Sequence, residues 1–216
     1  MLAKLFALLF PPRCVLCRSF LSKEETDFCR HCRQNAPELE KSNFRLSFVA
    51  GWTAVWYYKD MVRASLLRYK FYGHRSYVGA YGRALAMQLR KKGFDDFDVL
   101  TFVPIAPLRR LTRGYDQVEL LARAVGAELG VGSIRTLRKI RNTPPQSGIK
   151  DVSRRRANVL GAYKAADPAL VRGKRVLLLD DIITTGATAS ECARVLLTAG
   201  AKEVFCAAVA AANHDK

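Results

Sequence analysis

The chain has 216 residues, half of them hydrophobic, enough for one sizeable core and a small appendage. It contains no run of 18 or more apolar residues, which argues against a membrane-spanning helix. Thirty-six Lys and Arg against 19 acids give a net charge of +17, which favours polyanionic partners: nucleic acid, a phosphate-rich small molecule or anionic lipid.

Met1–Phe10 is apolar but short, and it runs into Pro11-Pro12 without a small-residue cleavage site. It reads as an amphipathic helix docked on the body or on a partner rather than a signal peptide, so a cytoplasmic protein is expected. Cys14-x-x-Cys17 and Cys29-x-x-Cys32, separated by eleven residues, offer four thiolates for a tetrahedral structural zinc site. The metal staples a segment too small to fold on its own core. Disulfides compete as an explanation, but no secretory signal accompanies them. His31 is a bystander, since four cysteines complete the shell. The expected units are a zinc module over residues 1–40 and a main domain over 41–216.

Gln34–Ser47 is polar and reads as a linker, and Val49–Tyr58 is strand-like. Met61–Phe71 has the periodicity of an amphipathic helix and ends in Lys70-Phe71-Tyr72-Gly73-His74-Arg75. That mixture either stacks bases and grips phosphate or is a helix terminus with basic residues near its dipole. Tyr77–Lys92 is a further helix. Asp98–Val103 is a short strand ending at Pro104-Ile105-Ala106-Pro107, followed by Arg109, Arg110 and Arg113 and a helix over Gln117–Leu129. A strand, a proline-bearing turn and an Arg-rich helix entrance suit a pyrophosphate clamp; the alternative is Arg side chains laid over a helix surface. Residues 134–160, with Pro144, Pro145 and Gly148, read as a mobile loop between short strands, and Lys164–Gly173 as another loop. Twelve Lys or Arg against four acids between Arg109 and Arg156 make an electropositive mouth.

Val176–Leu179 is a continuous apolar run, the pattern of a parallel strand buried on both faces. Asp180 and Asp181 follow at its carboxyl end, then Thr184-Thr185-Gly186-Ala187-Thr188, leading into a helix over Ser190–Ala199. Ligands of open α/β sheets bind at this end of the strands, and a small-residue loop at a helix start offers hydroxyls and N–H groups to phosphate. The acids hold hydroxyls or share a metal with that phosphate. The forecast ligand carries a phosphate, a polyol and magnesium. Val204–Ala210 is a last strand, and Cys192 and Cys206 are packing residues.

Residues 176–188 resemble the thirteen-residue phosphoribosyl pyrophosphate (PRPP) motif of type I phosphoribosyltransferases. The chain also carries, in order, the four cysteines, Tyr69-Lys70-Phe71-Tyr72-Gly73, Val103-Pro104-Ile105-Ala106-Pro107, Arg113-Gly114-Tyr115-Asp116-Gln117 and Thr143-x-x-Gln146. That order is similar to the ComF/ComFC family, although Asp116 stands where the family more often has Asn. The resemblance implies an α/β fold: a phosphoribosyltransferase-like parallel sheet flanked by helices, with an N-terminal zinc finger. It also implies a cytoplasmic role in DNA uptake during natural transformation, beside a partner ATPase that pulls in single strands. Carried over by residue, Asp180 and Asp181 hold ribose hydroxyls, partly through Mg²⁺, and Thr184, Thr185, Gly186, Ala187 and Thr188 cradle the 5′-phosphate. Arg109, Arg113 or Lys70 neutralise pyrophosphate beneath a lid over residues 139–156. Two functions stay open: a single-stranded-DNA-binding uptake factor with a PRPP/Mg site, or an active transferase moving phosphoribose to an unknown nitrogen acceptor.

Overall fold

The computed structural model describes residues 11–40, 44–143 and 157–212. The helix expected over Met1–Phe10 and the 144–156 part of the expected lid lie outside these. In chain order the elements are α1 (Arg30–Asn35), β1 (Gly51–Tyr57), α2 (Asp60–Phe71), α3 (Tyr77–Lys92), β2 (Val99–Phe102), α4 (Pro107–Arg113), α5 (Gln117–Leu129), β3 (Leu137–Lys139), β4 (Tyr163–Ala165), β5 (Arg175–Ile183), α6 (Ala187–Thr198) and β6 (Glu203–Ala211).

The apolar run of β5 sits inside a parallel four-stranded sheet of order β1-β6-β5-β2. Alternation along β5 sends Leu177 and Leu179 into one core with α3 and α5, and Val176 and Leu178 into another with α6 and the β3–β4 hairpin. All four are fully buried, each stabilising the fold by about 2 kcal/mol. The neighbouring β6 is built largely of alanine (Ala207, Ala208, Ala210, Ala211), which lets helices approach both faces closely. Cys192 and Cys206 are buried in the second core, in keeping with packing roles.

Several elements differ from the sequence reading. β5 does not stop at Leu179: β6 continues alongside it, pairing Ile182 with Ala210 and Ile183 with Ala211, so the two acids lie within the strand. The following helix starts at Ala187, three residues earlier than expected, because Gly186 takes a left-handed conformation (φ 68°) and lets the chain turn at once. Pro107–Arg113 is a separate short helix rather than the entrance to α5; a proline opens it and Gly114 (φ 74°) stops it. Lys164 and Ala165 belong to β4, whose partner β3 lies across the intervening loop, and Pro168–Leu170 forms a 3₁₀ turn capped by the Asp167 side chain. Residues 37–39 of the expected linker run along the outer edge of β1: Leu39 N–H donates to the Val55 carbonyl at 3.0 Å and Tyr57 N–H to the Pro37 carbonyl at 2.7 Å. The cysteine knuckles share the first core with α2 and α3, through Val15 and Leu16.

Helices α3 and α5 meet at Gly82, where a Cβ would stand 2.7 Å from Ala124 Cβ and 3.0 Å from its backbone carbon. Gly82→Ala should therefore push the helices apart and destabilise the protein by about 1–3 kcal/mol, visible as a lower urea midpoint.

Candidate functional site

The carboxyl end of β5 separates two acids that are adjacent in sequence, because successive strand side chains leave on opposite faces. Asp181 points toward α2 and α5. It is 4% exposed, pairs with Lys70 Nζ at 2.8 Å, and accepts a hydrogen bond from Gln117 Nε2 at 3.1 Å. A buried carboxylate needs both partners; stripping one from such a pair costs about 3–5 kcal/mol. Asp180 points toward the other layer, where Lys139, Tyr163 and Cys192 lie. Its Oδ1 accepts the Asp181 N–H at 2.8 Å. Desolvation, reinforced by the Asp181 charge, holds Asp180 well above the usual carboxylate range, with Lys70 acting in opposition.

Beyond the acids the chain enters Thr184–Thr188. A Cβ on Gly186 would clash with Leu46 Cδ2 and stand 3.2 Å from the Phe44 ring, so Phe44 and Leu46 lie directly on the loop. The Phe44 carbonyl accepts from Trp52 Nε1 at 2.7 Å, which ties that segment to β1. Thr185 Oγ1 is buried with no hydrogen-bond partner among the described residues. An orphaned hydroxyl beside a helix start fits a loop made to receive an anion.

These features face one cavity of ≈ 490 Å³. It brings together Lys70, Arg109, Asp180, Asp181, Thr184, Gly186, Ala187 and Thr188 of the residues singled out by sequence, with Thr185 behind the wall. Arg113 ends α4. Arg109 donates from Nη2 to the Thr143 carbonyl at 2.9 Å, fastening the clamp turn to the root of the 144–156 segment. Sequence reasoning placed Lys139 at the start of a lid; it is instead a residue of β3, in the cavity wall, lying over the Tyr163 ring at 5.1 Å. Burial, and secondarily Arg109, push its pKa down. Gln117 escaped notice because a glutamine opening a helix carries no distinctive signal. Asp116 caps α5, accepting from the Val118 and Glu119 N–H groups at 3.0 and 3.2 Å, and takes the Ile105 N–H at 3.2 Å. It thereby locks the 104–106 turn to the helix.

The second centre is the cysteine cluster. The four sulfurs of Cys14, Cys17, Cys29 and Cys32 lie within 4.8 Å of one another, with Cys17 and Cys29 3.6 Å apart. Zn–S bonds of about 2.3 Å in a tetrahedron put sulfurs about 3.8 Å apart, so the thiols fit a structural zinc. His31 turns away toward Asn35, whose Nδ2 is 3.4 Å from His31 Nδ1.

Residues 83–216 match the phosphoribosyl transferase domain, and the chain belongs to that family. Residues 5–43 match the double zinc ribbon domain, which supports structural zinc at the four cysteines. The chain is 28% identical over 196 residues to the competence protein ComFC of Bacillus subtilis, covering 87% of this chain and 78% of that protein. Identity to ComFC of Streptococcus pneumoniae is 32%, covering 70% and 64%. Identity to the DNA utilization protein YhgH of Salmonella typhimurium is 30%, covering 62% and 60%. The ComF/ComFC resemblance seen in the motifs therefore holds over most of the chain. Among the described residues no helix is long and apolar enough to cross a membrane.

Two outcomes follow from these geometries. Because the folded state holds the Asp180 proton more tightly than the unfolded chain, stability should fall as pH rises from about 4 toward the raised native value. Asp180→Asn should flatten that slope, melting above the parent protein at pH 7 and level with it near pH 4. Metal analysis should find one zinc per chain, and Cys14→Ser should lose it while lowering the melting temperature.

Proposed function

We propose that the chain is a DNA-uptake factor of the competence type, binding single-stranded DNA on a basic, aromatic surface and carrying a PRPP/Mg²⁺ site. The observation that carries the reading is the convergence on one cavity of Asp180 and Asp181, the Gly186 loop, and the cations Lys70, Arg109 and Lys139. In this reading the Thr184–Thr188 loop takes the 5′-phosphate on the N–H groups at the start of α6. The two carboxylates accept hydrogen bonds from the ribose hydroxyls. Lys70, Arg109 and Arg113, joined by Lys139, balance the charge of the pyrophosphate. Carboxylates together with a substrate phosphate suit Mg²⁺, which when bound neutralises charge on the pyrophosphate oxygens.

The nucleic-acid part rests on the rim. Phe71 and Tyr72 are 60% and 74% exposed beside the cavity. Arg75 lies 4.2 Å over the Tyr115 ring, and His74 stacks on Tyr77 at 4.9 Å. Exposed aromatic faces interleaved with cations suit unpaired bases and their phosphates. The names of the relatives, competence protein and DNA utilization protein, point the same way. Four clustered thiols belong in a reducing compartment, so we place the protein in the cytoplasm, beside an ATPase that draws strands inward.

An active transferase is the second reading, favoured by the complete acid pair and loop. There the ribose C1–O bond breaks with its electron pair leaving on pyrophosphate, while C1 bonds to a nitrogen acceptor. The residues act by positioning and charge, so no general base is required.

Calorimetry with PRPP and Mg²⁺ should show saturable binding that Asp180→Asn weakens; absence of binding by the parent protein removes the site reading. Affinity for a labelled single-stranded oligonucleotide should fall steeply between 50 and 200 mM salt, and Tyr72→Ala should weaken it. A salt-independent signal contradicts the proposed surface. Pyrophosphate release with any member of a nucleobase panel favours the transferase, whereas binding without release leaves a ligand site.

A further inference from the structure

Helix α2 stands between the two centres. On one side it grips the first cysteine knuckle. Ser65 Oγ donates to the Val15 carbonyl at 2.6 Å, which uses its only hydrogen, so the Tyr81 hydroxyl 2.6 Å away must be donating to it. Arg68 Nη2 donates to the Leu16 carbonyl at 2.6 Å and to Val15 at 3.2 Å. Val15 and Leu16 are the two residues between Cys14 and Cys17, and the turn is closed by Arg18 N–H on the Cys14 carbonyl at 2.8 Å. Among the described residues Arg68 Nε is buried without a hydrogen-bond partner, and the guanidinium is met by the two knuckle carbonyls and, at 5.9 Å, by the Tyr77 ring.

The other side of α2 holds the cavity. Lys70 is two residues, or about 200°, around the helix from Arg68. Its Nζ reaches Asp181 at 2.8 Å. Between them Tyr69 donates to the Gln117 carbonyl at 2.6 Å, and Gln117 completes the shell of Asp181. One helical turn therefore carries the knuckle on one face and the carboxylate's partners on the other.

We propose that the zinc knuckle sets the affinity of the cavity through α2, with Arg68 as the positioning residue that seats Lys70 on Asp181. This rests on the PRPP reading of the cavity. When the metal leaves, Cys14 and Cys17 lose their common anchor, and the Arg18–Cys14 backbone hydrogen bond is left to hold the turn that presents the Val15 and Leu16 carbonyls. Arg68 must then move to find water, and a shift of the helix lifts Lys70 from Asp181. Withdrawal of zinc thus lowers ligand affinity without any cysteine touching the ligand.

The test uses the full chain and two readouts. The first is calorimetric binding of PRPP with Mg²⁺. Arg68→Met keeps the aliphatic stem but removes the donors, and should weaken binding about tenfold with zinc content unchanged, within the usual range for coupled sites. Arg68→Lys should recover part of the loss. In a Lys70→Met background the further effect of Arg68→Met should shrink below about twofold, because the coupled pair is already broken. Unaltered affinity in Arg68→Met, or an equal loss in both backgrounds, overturns the proposal in favour of a general structural effect. The second readout needs no PRPP: labelling of Lys70 by an amine reagent, followed by mass spectrometry. Its rate should rise in Arg68→Met and when a chelator removes zinc from the parent protein. An unchanged rate refutes the coupling even if the parent protein binds no PRPP, whereas a faster rate without PRPP binding discards only the ligand assignment.

Discussion

A carboxylate held at 4% exposure can exist only if its charge is answered, and the Asp181–Lys70 pair is where the molecule meets that demand. Strand β5 delivers the acid, helix α2 the amine, and the first residue of α5 the amide that completes the shell. All three elements pack into one core, which also contains the cysteine knuckles. The position of the pair is consequently a constraint on every layer of that side of the sheet. Asp180 is offset only in part by Lys70, and desolvation keeps its pKa raised. Such a group sacrifices stability in the empty protein and regains it when a cation or hydroxyl-bearing ligand arrives, a pattern common to functional sites.

Much of this was legible in the sequence where the signal is local. The bounds of α3 and α5 follow from helical periodicity and from Gly93 and Gly130, which close the two helices in the left-handed region. The thirteen residues from Val176 located the cavity, since a buried strand, two acids and a small-residue loop describe the same place chemically and topologically. What escaped depends on partners distant in the chain. The extension of β5 requires β6, the short hairpin joins strands with 23 residues between them, and residues 37–39 of the polar stretch are held by the open edge of β1. The divergence of Asp180 and Asp181 was implicit in strand alternation, but only once the strand was known to continue through them.

Charge is distributed in a similarly uneven way. Glu119 draws Arg110, Arg123 and Arg135 around itself, which answers part of the basic stretch internally. The remaining excess is not a uniform coat: the cavity gathers Lys70, Arg109 and Lys139, and the adjoining rim adds Arg75 beside exposed aromatic rings. Cations gathered in this way favour anions at the mouth of the cavity.

The sheet order has a consequence for how the protein is made. Among the described residues β6 comes last in chain order, yet it lies between β1 and β5. Until residues 203–211 emerge from the ribosome, β1 has no neighbour in the sheet on that side and β5 has only β2. The nascent chain therefore holds two apolar edges open until β6 is made, a state that favours aggregation and engagement by chaperones. A frameshift or stop codon within the last strand would not trim the molecule at its margin but remove the middle of its sheet.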